Sequence, residues 1–130
     1  MPPEPRDDRV YLWDMLQYLK ELEEITRDKS IEDLRKERVL YLAVERVIEV
    51  VGEAARKVSK EFEKDHPEIN WAGIRGQRHV IAHEYGQVDI EKIWLIISEH
   101  GPALRRRLEQ LVEDRPAVTD DPDAASENTP

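Results

Sequence analysis

Two histidines, an arginine and a tyrosine crowd one stretch of the 130-residue chain, Gly76-Gln77-Arg78-His79-Val80-Ile81-Ala82-His83-Glu84-Tyr85-Gly86. It reads Arg-x4-His-x-Tyr and is closed by a glycine. Arginine is a permanent cation whose planar fork of donors suits phosphate or carboxylate. Histidine titrates near neutrality, so it can give or take a proton. Asn70 is placed to cap a helix from Trp71 to about Tyr85, with Gly86 just past its end. On a wheel with Trp71 at 0°, Ile81, Ile74 and Tyr85 fall near about 280°, 300° and 320°, and Arg78 near about 340°. Arg78 thus lies inside an apolar arc, where a guanidinium needs an anion, a carboxylate or a wet interface.

Three chemistries fit these residue types. One is a structural polar cluster, with Arg78 paired to a buried glutamate such as Glu53 and the histidines in solvent. Another is a metal pair, since His79 and His83 stand at i,i+4. Here the helix reads His-Val-Ile-Ala-His, without the usual glutamate between the histidines, and no third ligand is evident. The last is phosphate chemistry, with Arg78 holding the phosphate and His83 moving the proton. Arg78 and Tyr85 share a face, whereas His83 points about 140° away from Arg78 on an ideal helix. Arginine's length, a distorted last turn or a second subunit would have to close that angle.

The rest of the chain reads as the scaffold for this helix. Asp7 or Asp8 can cap a first helix to about Arg27, whose stripe is Leu12, Met15, Leu16, Leu19 and Leu22. Trp13 and Tyr18 lie off that stripe, on a surface face or at a subunit contact. Ser30-Ile31-Glu32-Asp33 is a capping signal. It opens a helix predicted from Ile31 to Lys64, which would exceed about 40 Å. Its apolar face, Leu40 to Val58 with Tyr41, Ile48, Ala55 and Phe62 beside it, is wide enough for several neighbours or for a second subunit. Gly52 in its middle calls for close helix packing. Asp65-His66-Pro67-Glu68 ends it, and His66 is read as a solvated loop residue. Asp89 caps the last helix, with Ile90, Ile93, Trp94, Ile97, Leu104, Leu108 and Leu111 on its core face. Pro102 is predicted to kink it near 98–101, with His100 packing or capping. Arg105, Arg106 and Arg107 favour the helix dipole or a phosphate. The pattern is all-α, an antiparallel bundle of four helices, or five if the kink splits the last.

Composition narrows the function classes. The net charge is −9, and from Pro116 to Pro130 there are four acidic residues and no Lys or Arg. An acidic body argues against a broad nucleic-acid binder and leaves room for a small basic groove. The absence of cysteine removes disulfides and thiolate metal sites. No stretch approaches the roughly 20 apolar residues of a membrane span, and the first residues hold no signal-peptide core. These features predict a cytoplasmic protein with a flexible segment 1–7, a helical domain 8–114 and a disordered acidic tail 115–130.

The Arg78-x4-His83-x-Tyr85 helix, with Trp71 before it and Val88-Asp89 and Trp94 after it, resembles the HEPN superfamily. Its HepT-like toxin branch is the nearest. Val51-Gly52-Glu53-Ala54-Ala55 and Gly101-Pro102-Ala103-Leu104 resemble that branch too, so the likeness spans about residues 8–112. It implies a two-fold homodimer in which two motif helices build a composite ribonuclease site with no required metal or other cofactor. Arg78 and His83 carry over as catalytic residues. Tyr85 carries over as the tyrosine to which a minimal nucleotidyltransferase antitoxin adds AMP, as in type VII-like toxin–antitoxin pairs. His79 stands where the superfamily commonly has Asn or Asp. The expected partners are RNA, contacted also by Arg75 and His79, a second copy, and the antitoxin, with which a larger assembly could form. The alternatives are an inactive HEPN dimer that binds nucleotide or docks a nucleotidyltransferase, and a purely structural helical subunit.

Overall fold

Helix α1 (Asp8–Ile25) is opened by Asp7, whose carboxylate accepts the Arg9 amide at 2.9 Å. It buries Leu12, Met15, Leu16, Leu19 and Leu22, the stripe read from the sequence. Each such side chain contributes roughly 1.5–3 kcal/mol on burial, against about 1 kcal/mol for a cap. Packing therefore supplies the stability of α1, and the cap fixes where it starts. The computed structural model describes residues 7–82 and 89–113, of which 77–82 and 113 are described by their backbone only. All regular structure among the described residues is helical.

The helix predicted over Ile31–Lys64 is not continuous. It breaks into α2 (Ile31–Lys36), α3 (Arg38–Lys57) and α4 (Lys60–Asp65). The capping box at its start is present: the Ser30 hydroxyl accepts the Asp33 amide at 3.2 Å, and Asp33 accepts the Ser30 amide at 2.8 Å. At the first break Glu37 alone turns extended (φ −92°, ψ 100°), and its carboxylate takes Lys29 Nζ at 3.0 Å. The bend lets α2 pack on both α3 and α6 (Ile90–Leu95) with Leu34 buried.

At the second break Val58 and Ser59 are extended, and the Ser59 hydroxyl caps α4 by accepting the Phe62 amide at 3.1 Å. The deciding partner is distant in sequence. Asp8 accepts both the Ser59 amide and the Ser59 hydroxyl at 2.7 Å. A carboxylate accepting two donors outcompetes one further turn of helix. Asp8→Ala should therefore lower the free energy of unfolding by about 1–3 kcal/mol, with a smaller loss for Asp8→Asn. Urea midpoints compared across the three proteins measure this, and an unchanged Asp8→Ala midpoint refutes it.

Helix α3 is the central element, packed against α1, α2 and α5 (Trp71–Ala82). Its wide apolar arc, including Val44, Val47, Ile48, Val51 and Ala55, is buried within one chain. No second subunit is needed to cover it. The face away from these neighbours leaves Val39 and Leu42 exposed, and Trp13 is exposed on α1.

The last rod consists of α6, a π-helical turn over Ile96–His100, and α7 (Gly101–Glu113). Asp89 caps it by accepting the Lys92 amide at 3.1 Å. Pro102 has no amide hydrogen, and its ring would meet the carbonyl four residues back. The chain absorbs this as a π turn, in which the Gly101 amide donates to Ile96 O. Helix α7 packs on α1, where Arg105 pairs with Glu23 and with Glu109. Arg107 reaches Glu68 at 2.6 Å. Two of the three arginines are thus held by specific carboxylates, beyond any dipole effect. His66 is not simply solvated: its ring lies 4.3 Å from that of Phe62, and Nδ1 is 3.3 Å from Glu68.

Two of these junctions are acid-sensitive. Hydrogen bonds from the Ser30 amide and hydroxyl hold the Asp33 carboxyl below its ordinary value, and Arg107 does so first for Glu68. A folded-state value below the unfolded one gives stability that is complete above the unfolded value and lost as the pH falls through the folded one. The melting temperature should be flat from neutral pH down to about 5 and fall below about 4. Asp33→Asn and Glu68→Gln should each flatten part of that fall; an identical acid limb in both would remove these residues as its cause.

Candidate active site on helix α5

Helix α5 starts at Asn70, whose side-chain oxygen accepts the Gly73 amide at 3.0 Å, as the sequence predicts. Its first turns are clamped from several sides. Trp71 is buried, its indole N–H donates to His66 O at 3.0 Å, and its ring meets Phe62 edge-on. Ile74 is buried against α3, where a Cβ on Gly52 would come to 3.4 Å from Ile74 O. The close approach inferred from Gly52 is therefore present, with room for a methyl group. Arg75 reaches across to α4 and donates to Glu63 at 2.7 Å. With side chains 28% and 14% exposed, this pair is stiffer than a surface ion pair.

The anchored base carries the segment of interest. Arg75, Arg78 and His79 all lie on α5. The Arg75 guanidinium is committed to Glu63 and offers its remaining donors outward. The side chains of Arg78 and His79, and the residues His83, Tyr85 and Gly86 altogether, lie outside the described residues, as does the tail 114–130. Glu53, the carboxylate considered as a buried partner for Arg78, is exposed on α3. No group of three or more His, Asp or Glu side chains among the described residues could hold a metal ion. No described helix is long and apolar enough to cross a membrane.

Two concavities flank the base of α5. One, about 420 Å³, lies between α1, α3 and the last rod, with Leu22, Val51, Ile74 and Leu104 on its walls and His100 and Arg107 also lining it. His100, at the end of the π turn, is exposed. The other, about 630 Å³ and open to solvent, runs between α4 and α5 and is lined by Lys60, Lys64 and Arg75. Sequence reasoning passed over Lys60 and Lys64, although their i,i+4 spacing puts them on one face of any helix.

Bundle and motif together define a class: small helical proteins with an Arg-x4-His-x-Tyr sequence that begins on a helix anchored at its N-terminal end. The sequence model of the family described as ribonuclease HepT-like matches residues 15–111, and the chain belongs to that family, within the HEPN superfamily. It is 32% identical over 106 residues to the probable ribonuclease HepT of Thermococcus cleftensis, covering 82% of this chain and 96% of that one. It is 34% identical over 105 residues to a candidate RNase of Caldanaerobacter subterraneus, covering 81% and 94%. A candidate RNase of Methanocaldococcus jannaschii is 28% identical over 109 residues, covering 84% and 94%. No solved structure gives a significant match.

Proposed function

We propose that this protein is a metal-independent endoribonuclease, the toxin of a type VII-like toxin–antitoxin pair. Its site is composite, built where two copies bring their α5 helices together. Membership of the ribonuclease HepT-like family, with Arg78, His83 and Tyr85 in the motif, carries this reading.

In the reaction, the ribose 2′-oxygen attacks the adjacent phosphorus and the bond to the 5′-oxygen breaks. His83 takes the 2′-hydroxyl proton and returns a proton to the departing 5′-oxygen. Arg78 holds the phosphate oxygens and offsets charge as it develops. Arg75 and His79 contact the RNA backbone. The products are a 2′,3′-cyclic phosphate and a 5′-hydroxyl. A nucleotidyltransferase antitoxin silences the enzyme by placing AMP on Tyr85, seven residues after Arg78 in the motif, where added bulk and negative charge exclude RNA.

Purified protein in EDTA should cleave RNA to cyclic-phosphate ends. It should leave the same oligonucleotide intact when 2′-deoxyribose replaces ribose at the cleaved position. Absence of cleavage under antitoxin-free conditions, or equal cleavage of the deoxy substrate, would count against the reading.

A further inference from the structure

The sorting of charge along the α4–α5 groove bears on how a chain of net charge −9 holds a polyanion. Many described cations are already paired: Arg9 with Asp7, Lys29 with Glu37, Arg75 with Glu63, Lys92 with Asp89, Arg105 with Glu23, and Arg107 with Glu68. Lys60 and Lys64 are different. Both are exposed, both line the groove, and neither makes an ion pair among the described residues. They stand one turn apart on α4, about 5–6 Å between their Cβ atoms. The two carboxylates lining the same groove, Glu63 and Glu68, are occupied by Arg75 and Arg107. Glu61 and Asp65, on the same short helix, do not line it. The groove thus presents two uncompensated ammonium groups over a floor of neutralised acids.

Its direction is as informative as its charge. The α5 wall is formed by Trp71, Ala72 and Arg75. Ala72, Arg75 and His79 follow at i, i+3 and i+7 along the same helix, so that wall continues in register toward the Arg78–His79 turn. An open groove with two free lysines on one wall, and on the other the helix whose backbone runs on to Arg78, has the form of an entry path. No aromatic face is offered to a base, because Trp71 is only 5% exposed. Contact would therefore be to the phosphates and indifferent to sequence.

We propose that the α4–α5 groove is the track by which a single-stranded RNA backbone approaches the site, with Lys60 and Lys64 each neutralising a phosphate. This rests on the ribonuclease reading above and names residues beyond it. The pair acts on binding, so its removal falls on KM more than on kcat.

The test is the salt dependence of binding to a short 2′-O-methylated oligouridylate, which cannot be cleaved, followed by fluorescence anisotropy. Removing two phosphate contacts from a single strand should make the log–log salt slope shallower by about 1.4. Lys60→Gln/Lys64→Gln should show that change, with a higher KM for cleavable RNA and an unaltered melting temperature. Lys36→Gln, at an exposed lysine that ends α2, should leave the slope unchanged. If the wild type binds and cleaves RNA and the double variant keeps its slope and KM, the track is refuted while the ribonuclease reading stands. If Lys36→Gln shifts the slope as much, the effect is net charge and the track is refuted again. If the wild type neither binds nor cleaves RNA, the ribonuclease reading fails and takes the track with it.

Discussion

Mixing an Arg78→Ala chain with a His83→Ala chain, each inactive alone, is expected to restore about a quarter of wild-type RNA cleavage for a two-fold dimer with composite sites. Each substitution by itself should lower cleavage by about 10²–10⁴, the range for losing a general acid–base or a charge-stabilising group. The reason for recovery is geometric. On one ideal helix Arg78 and His83 point about 140° apart. If the site takes its arginine from one copy and its histidine from the other, a mixed dimer has one site with both defects and one with neither. Random exchange makes half the dimers mixed, hence about a quarter of the sites intact. If each site were built within one chain, every site in the mixture would carry a defect and activity would stay at the level of the single variants. Co-expression with two affinity tags and assay of the doubly tagged fraction separates the outcomes. Tyr85→Phe belongs in the same experiment, since it should cleave RNA yet resist silencing by AMP transfer.

Replacing Gly101 with alanine should destabilise the fold by about 1–3 kcal/mol, although alanine is the better helix former by about 1 kcal/mol. A Cβ at Gly101 would stand 2.7 Å from Ile96 O and 3.4 Å from a Leu22 methyl. The first contact exists because the π turn carries the Ile96 carbonyl to the Gly101 amide. The obstacle is backbone, so it cannot swing aside. Gly52→Ala is the comparison, because there the new Cβ would meet Ile74 O at 3.4 Å, an ordinary contact. That variant should be neutral or gain up to about 1 kcal/mol. Equal melting temperatures for the two variants would mean that the π turn relaxes at little cost.

These two glycines also show what the sequence could and could not disclose. The caps at Ser30, Asn70 and Asp89 use only neighbouring residues, and each is where the sequence predicts it. The apolar stripe of α1 was legible for the same local reason. The interruptions at Glu37 and Ser59 were not, because their deciding partners, Lys29 and Asp8, act through the folded chain. The kink at Pro102 was predictable, but its form was not. One extra residue in the turn rotates the remainder of the rod by about 100°. The predicted core face of α7 still packs inward, with Leu108 fully buried and Leu104 and Leu111 half-buried against the core, while Gly101 is also buried and Arg105 pairs with Glu23 of α1. At the candidate site the sequence supplies the residue types and spacing of the motif, and the family that matches the chain is the one they resemble. The Arg75–Glu63 clamp and the lysine-lined groove were not legible, since both depend on how α4 turns after its break.

That break also says something about the order of folding. Asp8 and Ser59 are separated by 51 positions. Closing a loop of that length costs about 3.5 kcal/mol in chain entropy, which leaves the two hydrogen bonds to Asp8 little surplus of their own. Their contact cannot lead the search. It must wait until α1 and α3 have found each other through their apolar faces, and it then closes behind them. Contacts formed after the barrier are felt in the rate of unfolding, not in the rate of folding. The Asp8 carboxylate is in this sense a late latch: it sets how long the assembled bundle stays shut.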